Sequence, residues 1–135
     1  MYSFEYKVRV RYADTDQMGY VYYGNYARYY EIARVEALRN LGFSYKSLED
    51  SGIMMPVLEL NTKYIRPARY DDFLTLKVFI KDFPKARIIF EYEIFNENNL
   101  LLNIGLTTLV FINRSTNRPC SIPEALAEKL KKYFE

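Results

Sequence analysis

With 135 residues and a net charge of +2, the chain fits a single domain over 1–135 and gives no electrostatic case for a nucleic-acid partner. Histidine is absent, which excludes Ser-His-Asp and Cys-His catalysis, histidine-ligated metals and histidine-based dehydration. The lone cysteine, Cys120, excludes an internal disulfide and a cysteine-based zinc site, and it reads as an inert packed thiol in a reducing compartment. Any base acting near neutral pH is then a carboxylate, or a lysine or tyrosine with a shifted pKa. Fourteen tyrosines and nine phenylalanines, with no tryptophan, fit half-buried strand faces or an aromatic binding slot or interface.

In the N-terminal segment, Tyr2, Phe4, Tyr6, Val8, Val10 and Tyr12 alternate with Glu5, Lys7, Arg9 and Arg11. That period predicts a strand with one wet face, not a signal peptide. Asp14 and Asp16 follow, then Gly19 and Gly24 bracketing a run of tyrosines and a valine. Asn25 reads as the N-cap of a helix from Tyr26, with Tyr26, Tyr29, Tyr30, Ala33, Ala37, Leu38 and Leu41 on its buried stripe and Gly42 closing it. Ser44 caps a shorter helix over 45–50.

From Met54 the pattern changes to strands. Residues 54–66 read as one long strand with Pro56 near its start, broken at Pro67-Ala68. Asp71-Asp72 is a turn, and Leu74, Leu76, Val78 and Ile80 mark the next strand. Ile88, Phe90, Tyr92 and Ile94 mark another, and Asn96 to Asn99 a hairpin turn. Leu100 to Ile112 is apolar on both parities, so it is buried on both faces or lies inside an oligomer. Ser121-Ile122-Pro123-Glu124 reads as a capping box for a C-terminal helix with Ala125, Leu126, Leu130 and Tyr133 or Phe134 turned inward. Four strands, each beside the next, with one long helix make an α+β architecture. No apolar run approaches the ~20 residues of a membrane-spanning helix.

A carboxylate on a loop running into a helix start is a chemical arrangement. It can serve as base or nucleophile, while free backbone N–H groups at the helix head hold a developing negative charge. An Asx-turn is the structural alternative for Asp16. Asp14 is expected to bond nearby backbone.

The segments Arg11-Tyr12-Ala13-Asp14-Thr15-Asp16, Gly19-Tyr20-Val21-Tyr22-Tyr23-Gly24-Asn25-Tyr26, Tyr30-Glu31, Ala33-Arg34, Tyr64-Ile65-Arg66-Pro67-Ala68, Asp71-Asp72, Thr107 to Ile112 and Arg118-Pro119 to Ile122-Pro123 resemble the hotdog-fold thioesterases of the 4-hydroxybenzoyl-CoA thioesterase type, in particular the bacterial acyl-CoA thioesterase branch. The resemblance covers nearly the whole chain. It implies a hotdog fold, a curled antiparallel sheet wrapped around one central helix, and hydrolysis of acyl-CoA to a free acid and coenzyme A. It assigns catalysis to Asp16, as general base or nucleophile, and carbonyl polarisation to the backbone N–H of Tyr23 or Gly24. In many acyl-CoA members of the family a histidine stands at the Tyr23 position, which leaves a backbone donor intact but not a side-chain role. Gly19, Val21, Asn25 and Tyr26 are expected at the substrate. Arg66, Lys85 and Arg87 are candidates for the coenzyme A phosphates. Glu31 and Glu36 read as helix-surface charges, although a related clade uses a helix glutamate.

No metal or redox cofactor is expected, coenzyme A entering only as part of the substrate. The expected assembly is a homodimer paired edge to edge with the site at its interface, extending to a dimer-of-dimers tetramer, in the cytoplasm. The rivals are a hotdog module that binds acyl-CoA or acyl-carrier protein without turnover, and a dehydratase, which the absence of histidine disfavours.

Overall fold

A computed structural model describes all residues, Met1–Glu135. The expected strand alternation forms β1 (Tyr2–Arg9), paired antiparallel with β4 (Phe73–Ile80), Tyr2 opposite Ile80 and Arg9 opposite Phe73. β1 stops at Arg9, and Tyr12 is exposed in a short 3-10 turn over Tyr12–Asp14 instead of extending the buried face. β5 (Arg87–Phe95) and β6 (Leu101–Val110) continue the sheet, and β3 (Val57–Tyr64) closes it in the order β1-β4-β5-β6-β3. The expected neighbour-to-neighbour order therefore holds for β4, β5 and β6, whose short polar turns close hairpins, and fails for β3. Residues 65–72 carry the chain from β3 across the strand ends to β4 on the far side. Ala68 O accepts Val21 N–H at 2.8 Å on the way, and Asp71, at φ 69°, turns into β4.

Residues 54–66 are not one strand. β2 (Ile53–Met54) leaves the main sheet to pair with β7 (Ile112–Asn113), which pairs in turn with β8 (Arg118–Pro119). Pro56 sits at the break, where it has no N–H to give a ladder and only its carbonyl is used, by Val110 N–H at 3.2 Å. β6 is the strand apolar on both parities, and it lies between β5 and β3.

The long helix α1 (Tyr26–Asn40) buries the predicted stripe against the sheet. Ala37 leaves room for Tyr2, whose hydroxyl donates to Ala37 O at 3.0 Å. Gly42, at φ 81°, reverses the chain so that Phe43 N–H reaches Leu38 O at 2.9 Å. α2 (Tyr45–Asp50) starts at Ser44, whose Oγ accepts Ser47 N–H at 3.1 Å. α3 (Glu124–Leu130) lacks the expected capping box. Ile122 N–H donates to Lys85 O at 2.7 Å, which holds the segment before Glu124 extended and leaves Ser121 off the helix. Leu126 and Leu130 are buried as expected, and Ala125 is exposed. No helix is long and apolar enough to cross a membrane.

Helix and sheet come close where Tyr30 lies against Gly105 of β6. The Tyr30 ring stacks on Tyr92, with centroids 4.3 Å apart, and its hydroxyl bonds Thr62 Oγ1 at 2.7 Å and Asn103 Oδ1. A Cβ on Gly105 would overlap the Tyr30 Cζ and hydroxyl. Gly105→Ala should therefore destabilise the fold by about 1–3 kcal/mol, as overpacking of a rigid core does. Urea denaturation measures it, and an unchanged midpoint would show that Tyr30 moves aside freely.

Candidate active site

The site is built where the chain leaves β1 and enters α1. Arg11 N–H closes the 3-10 turn by donating to Asp14 Oδ2 at 2.9 Å. The same oxygen accepts the Tyr29 hydroxyl at 3.0 Å, and Oδ1 takes the Arg28 guanidinium. Asp14 is thus buried and bound on both oxygens, with two partners from α1 beyond the backbone partner expected. Burial alone would raise its pKa, but the Arg11 N–H, the Tyr29 hydroxyl and the Arg28 charge outweigh it and hold the carboxyl below the ordinary range. The Asp14 carbonyl accepts Tyr22 N–H and Asn25 Nδ2, each at 2.9 Å.

Asn25 occupies the N-cap position of α1 but does not cap it. Its φ and ψ are helical, and a 3-10 turn over Tyr23–Asn25 extends the helix backwards, so its side chain reaches Asp14 instead.

Asp16 adopts the Asx-turn. Its Oδ1 accepts Met18 N–H at 2.8 Å and Tyr20 N–H at 3.3 Å, while Gly19, at φ 77°, supplies the left-handed residue that the turn needs. Oδ2 has no protein partner. The turn does not remove Asp16 from the site. Asp16 lines a cleft of about 350 Å³ with Met18, Tyr20, Val21, Tyr23, Tyr26, Tyr64, Ile65, Arg66 and Pro67. With Gly19 it also borders a second, open hollow beside Tyr12 and Tyr70.

Tyr23 N–H and Gly24 N–H make no hydrogen bond within the chain, and both stand at the head of the α1 helix system. Tyr23 lines the cleft and Gly24 does not. A Cβ at Gly24 would come within 2.8 Å of the Tyr22 ring, so its small size lets that ring lie tilted against Tyr23, with centroids 4.6 Å apart.

Of the residues expected from sequence, the cleft brings together Asp16, Val21, Tyr23, Tyr26 and Arg66. Gly19 shapes the turn, and Gly24 and Asn25 stand behind the lining. Lys85 and Arg87 lie outside the cleft, exposed between β4 and the start of β5. Tyr64 and Ile65 are lining residues that pattern alone did not single out, their signal being a strand that ends at a proline. Arg34, on the helix stripe, is buried and meets the Tyr45 hydroxyl at 3.3 Å, with no carboxylate partner. No cluster of three or more Cys, Asp or Glu side chains suits a metal ion.

Over residues 10–130 the chain matches the model of the thioesterase-like superfamily, and it belongs to that family. It is 33% identical over 128 residues to the acyl-CoA thioester hydrolase YbgC of Escherichia coli, an alignment spanning 95% of this chain and 96% of that one. It is 27% identical to the 1,4-dihydroxy-2-naphthoyl-CoA hydrolase of Thermosynechococcus vestitus, over 94% of this chain and 88% of that one. In structure it matches the DHNA-CoA thioesterase of Staphylococcus aureus with a TM-score of 0.85 and 36% identity, over 99% of this chain and 85% of that one. The curled sheet around α1 is the hotdog fold of these thioesterases.

Asp14→Asn keeps the shape but removes the charge that Arg28 and Tyr29 face. It should cost about 1–3 kcal/mol at pH 7, the range for a buried charge-assisted hydrogen bond. Because the folded pKa is depressed, the charge contributes stability above the unfolded value, near 3.9 for aspartate, and loses it as pH falls through the folded one. The gap between wild type and variant should therefore close below about pH 4 in denaturation at stepped pH, and a gap independent of pH would contradict the role of the charge.

Proposed function

We propose that the chain hydrolyses acyl-CoA thioesters to the free acid and coenzyme A. The observation that carries this reading is Asp16. One of its carboxylate oxygens is fixed by the loop and the other is free, on an apolar cleft that also holds Tyr23 of the helix head. The acyl group fills the cleft among Val21, Tyr26, Tyr64 and Ile65. Its carbonyl oxygen accepts the Tyr23 N–H, whose partial positive charge grows in value as the carbonyl becomes tetrahedral.

Two routes then balance. As base, Asp16 Oδ2 takes a proton from water, the water oxygen adds to the thioester carbon, the C–S bond breaks, and the proton passes to the departing thiolate. As nucleophile, Oδ2 adds to the carbon itself and expels the thiolate, and water then adds at the aspartyl carbon of the mixed anhydride, releasing the acid and leaving a proton for the thiolate. A single turnover in heavy-oxygen water separates them, since only the second route leaves the label in Asp16. The free thiol and the substrate both fit the cytoplasm.

The proposed assembly is a homodimer about β3. Its outer edge has no partner strand, and Val57, Leu58, Leu60, Tyr64 and Ile65 are exposed there. Antiparallel pairing of two copies sets the start of one β3 beside the end of the other. Arg87 is in register with Val110, at the β3-start end of the sheet. The partner's Lys85 and Arg87 would then approach the cleft from across the interface, beside Arg66, where coenzyme A phosphates need cations.

Asp16→Asn keeps an oxygen for the Met18 and Tyr20 amides, so it preserves the turn while removing the base. Thiol release from a panel of acyl-CoAs should fall about 100-fold or more. Undiminished release by the variant would move catalysis elsewhere, and no release by the wild type from any substrate would leave a binding module. Leu60, near the middle of β3, would face its own copy across the two-fold axis. Leu60→Lys would set two like charges together, and should shift the mass in light scattering from the dimer to the 16.1 kDa chain and lower activity with it. A wild-type monomer would refute the assembly.

A further inference from the structure

The carbonyl of Tyr23 is held from two sides. Tyr26 N–H reaches it from within the helix turn, and the Tyr64 hydroxyl donates to it at 3.2 Å from the end of β3. No other side chain bonds the backbone of Tyr23 or Gly24. The tyrosine that does so is itself anchored. Directly after it, Ile65 N–H and Arg66 N–H both donate to Leu102 O, at 2.9 and 3.0 Å, which clamps the strand end to β6. Its ring stands edge-on to Tyr26, with centroids 5.3 Å apart, and both rings line the cleft.

We infer that Tyr64 is a positioning residue for thioester hydrolysis, acting through its hydroxyl on the Tyr23 carbonyl to aim the unpartnered N–H groups of Tyr23 and Gly24. This inference rests on the hydrolytic function proposed above. The physical basis is that a residue held at its carbonyl cannot rotate its peptide planes without breaking that bond. A donor aimed before the reaction costs no reorganisation during it. The bond also polarises the Tyr23–Gly24 peptide, since accepting at the carbonyl makes the N–H of the same unit a better donor. The alternative is that Tyr64 is only a wall of the cleft. A wall needs the ring and not the hydroxyl, so the two roles separate in one substitution.

Tyr64→Phe keeps the ring against Tyr26 and removes the hydroxyl. In the full chain, kcat should fall about tenfold while KM stays within about twofold, because the lost orientation matters most in the transition state. The pH profile of kcat should keep its shape, since the Asp16 carboxylate that acts on the substrate is untouched. An unchanged kcat, or a rise in KM that accounts for the whole loss, would overturn the positioning role and leave the wall. A second readout does not need turnover. In isotope-labelled protein, Tyr64→Phe should shift the Tyr23 carbonyl carbon and the Gly24 amide resonances. Unmoved resonances would overturn the inference even if no acyl-CoA is hydrolysed. A wild type without thiol release but with the shift present would overturn the hydrolytic function and leave the tether standing.

Discussion

One buried residue, Asp14, joins the strand, the loop and the helix that make the site. Its carboxylate draws in Arg11 N–H, Tyr29 and Arg28, and its carbonyl draws in Tyr22 N–H and Asn25. The first set ties the turn after β1 to the body of α1, and the second fixes where the loop enters that helix. Asp16 and Tyr23 lie between those two points, so the bonds of Asp14 help set their separation beside the bonds that Asp16 and Tyr23 make themselves. Arg28 is half exposed, and an ion pair so open to water contributes little by its Coulomb attraction. Asp14 matters because both ends of the loop meet on one residue.

The abundance of tyrosine has a related cause. On the buried face of α1 and its facing strands, tyrosines fill the core with their rings and require a partner for each hydroxyl. Tyr30 meets Thr62 and Asn103, Tyr92 meets Thr107 at 2.6 Å, and Tyr29 meets Asp14. Burial pushes Tyr92 up to about 12 and Tyr29 and Tyr30 higher still, so all three remain neutral donors at any ordinary pH. They are therefore no rivals to a carboxylate as base. The polar layer also explains Arg34. Burial would pull its pKa down, but the phenol oxygens of Tyr92 and Tyr45 more than offset this, and the charge is kept without a carboxylate. No buried side-chain polar atom in the chain lacks a hydrogen bond, which is the condition for such a layer to be stable.

Much of this was legible from spacing. The helix stripe, the alternating strands β4 and β5 and the two-faced β6 follow from periodicity, because each side chain's neighbours there are set by local geometry. Position in the sheet was not legible for β3, since nothing in 54–66 encodes that residues 65–72 cross the strand ends. The caps failed for a similar reason. Asn25 and Ser121 have the right chemistry at the right spacing, but a tertiary acceptor took the first and the Ile122–Lys85 bond pulled the second out of line. At the site, the motif pointed to Asp16 and Tyr23, while the segment Tyr64 to Ala68 carried the resemblance without giving Tyr64 a role. Asp16 shows that the two readings of a loop aspartate were never exclusive, because a carboxylate has two oxygens and a turn uses one.

The position of α1 over the sheet decides which edge can associate. The helix packs on β1 and β4, so on the inward face of that edge strand Tyr2, Phe4 and Val8 are wholly or partly covered and only Tyr6 is exposed. It reaches β3 only through side chains, Tyr30 on Thr62 and Tyr26 on Tyr64, and Leu60 and Tyr64, which point the same way, remain exposed. The bare side is also where the cleft opens, since Tyr64 is both the end of that edge strand and a wall of the cleft. Apolar side chains beside unpaired backbone make an edge prone to pair with another strand. The off-centre helix thus produces an uncovered edge and an open cleft from one cause, and a single partner strand would close both.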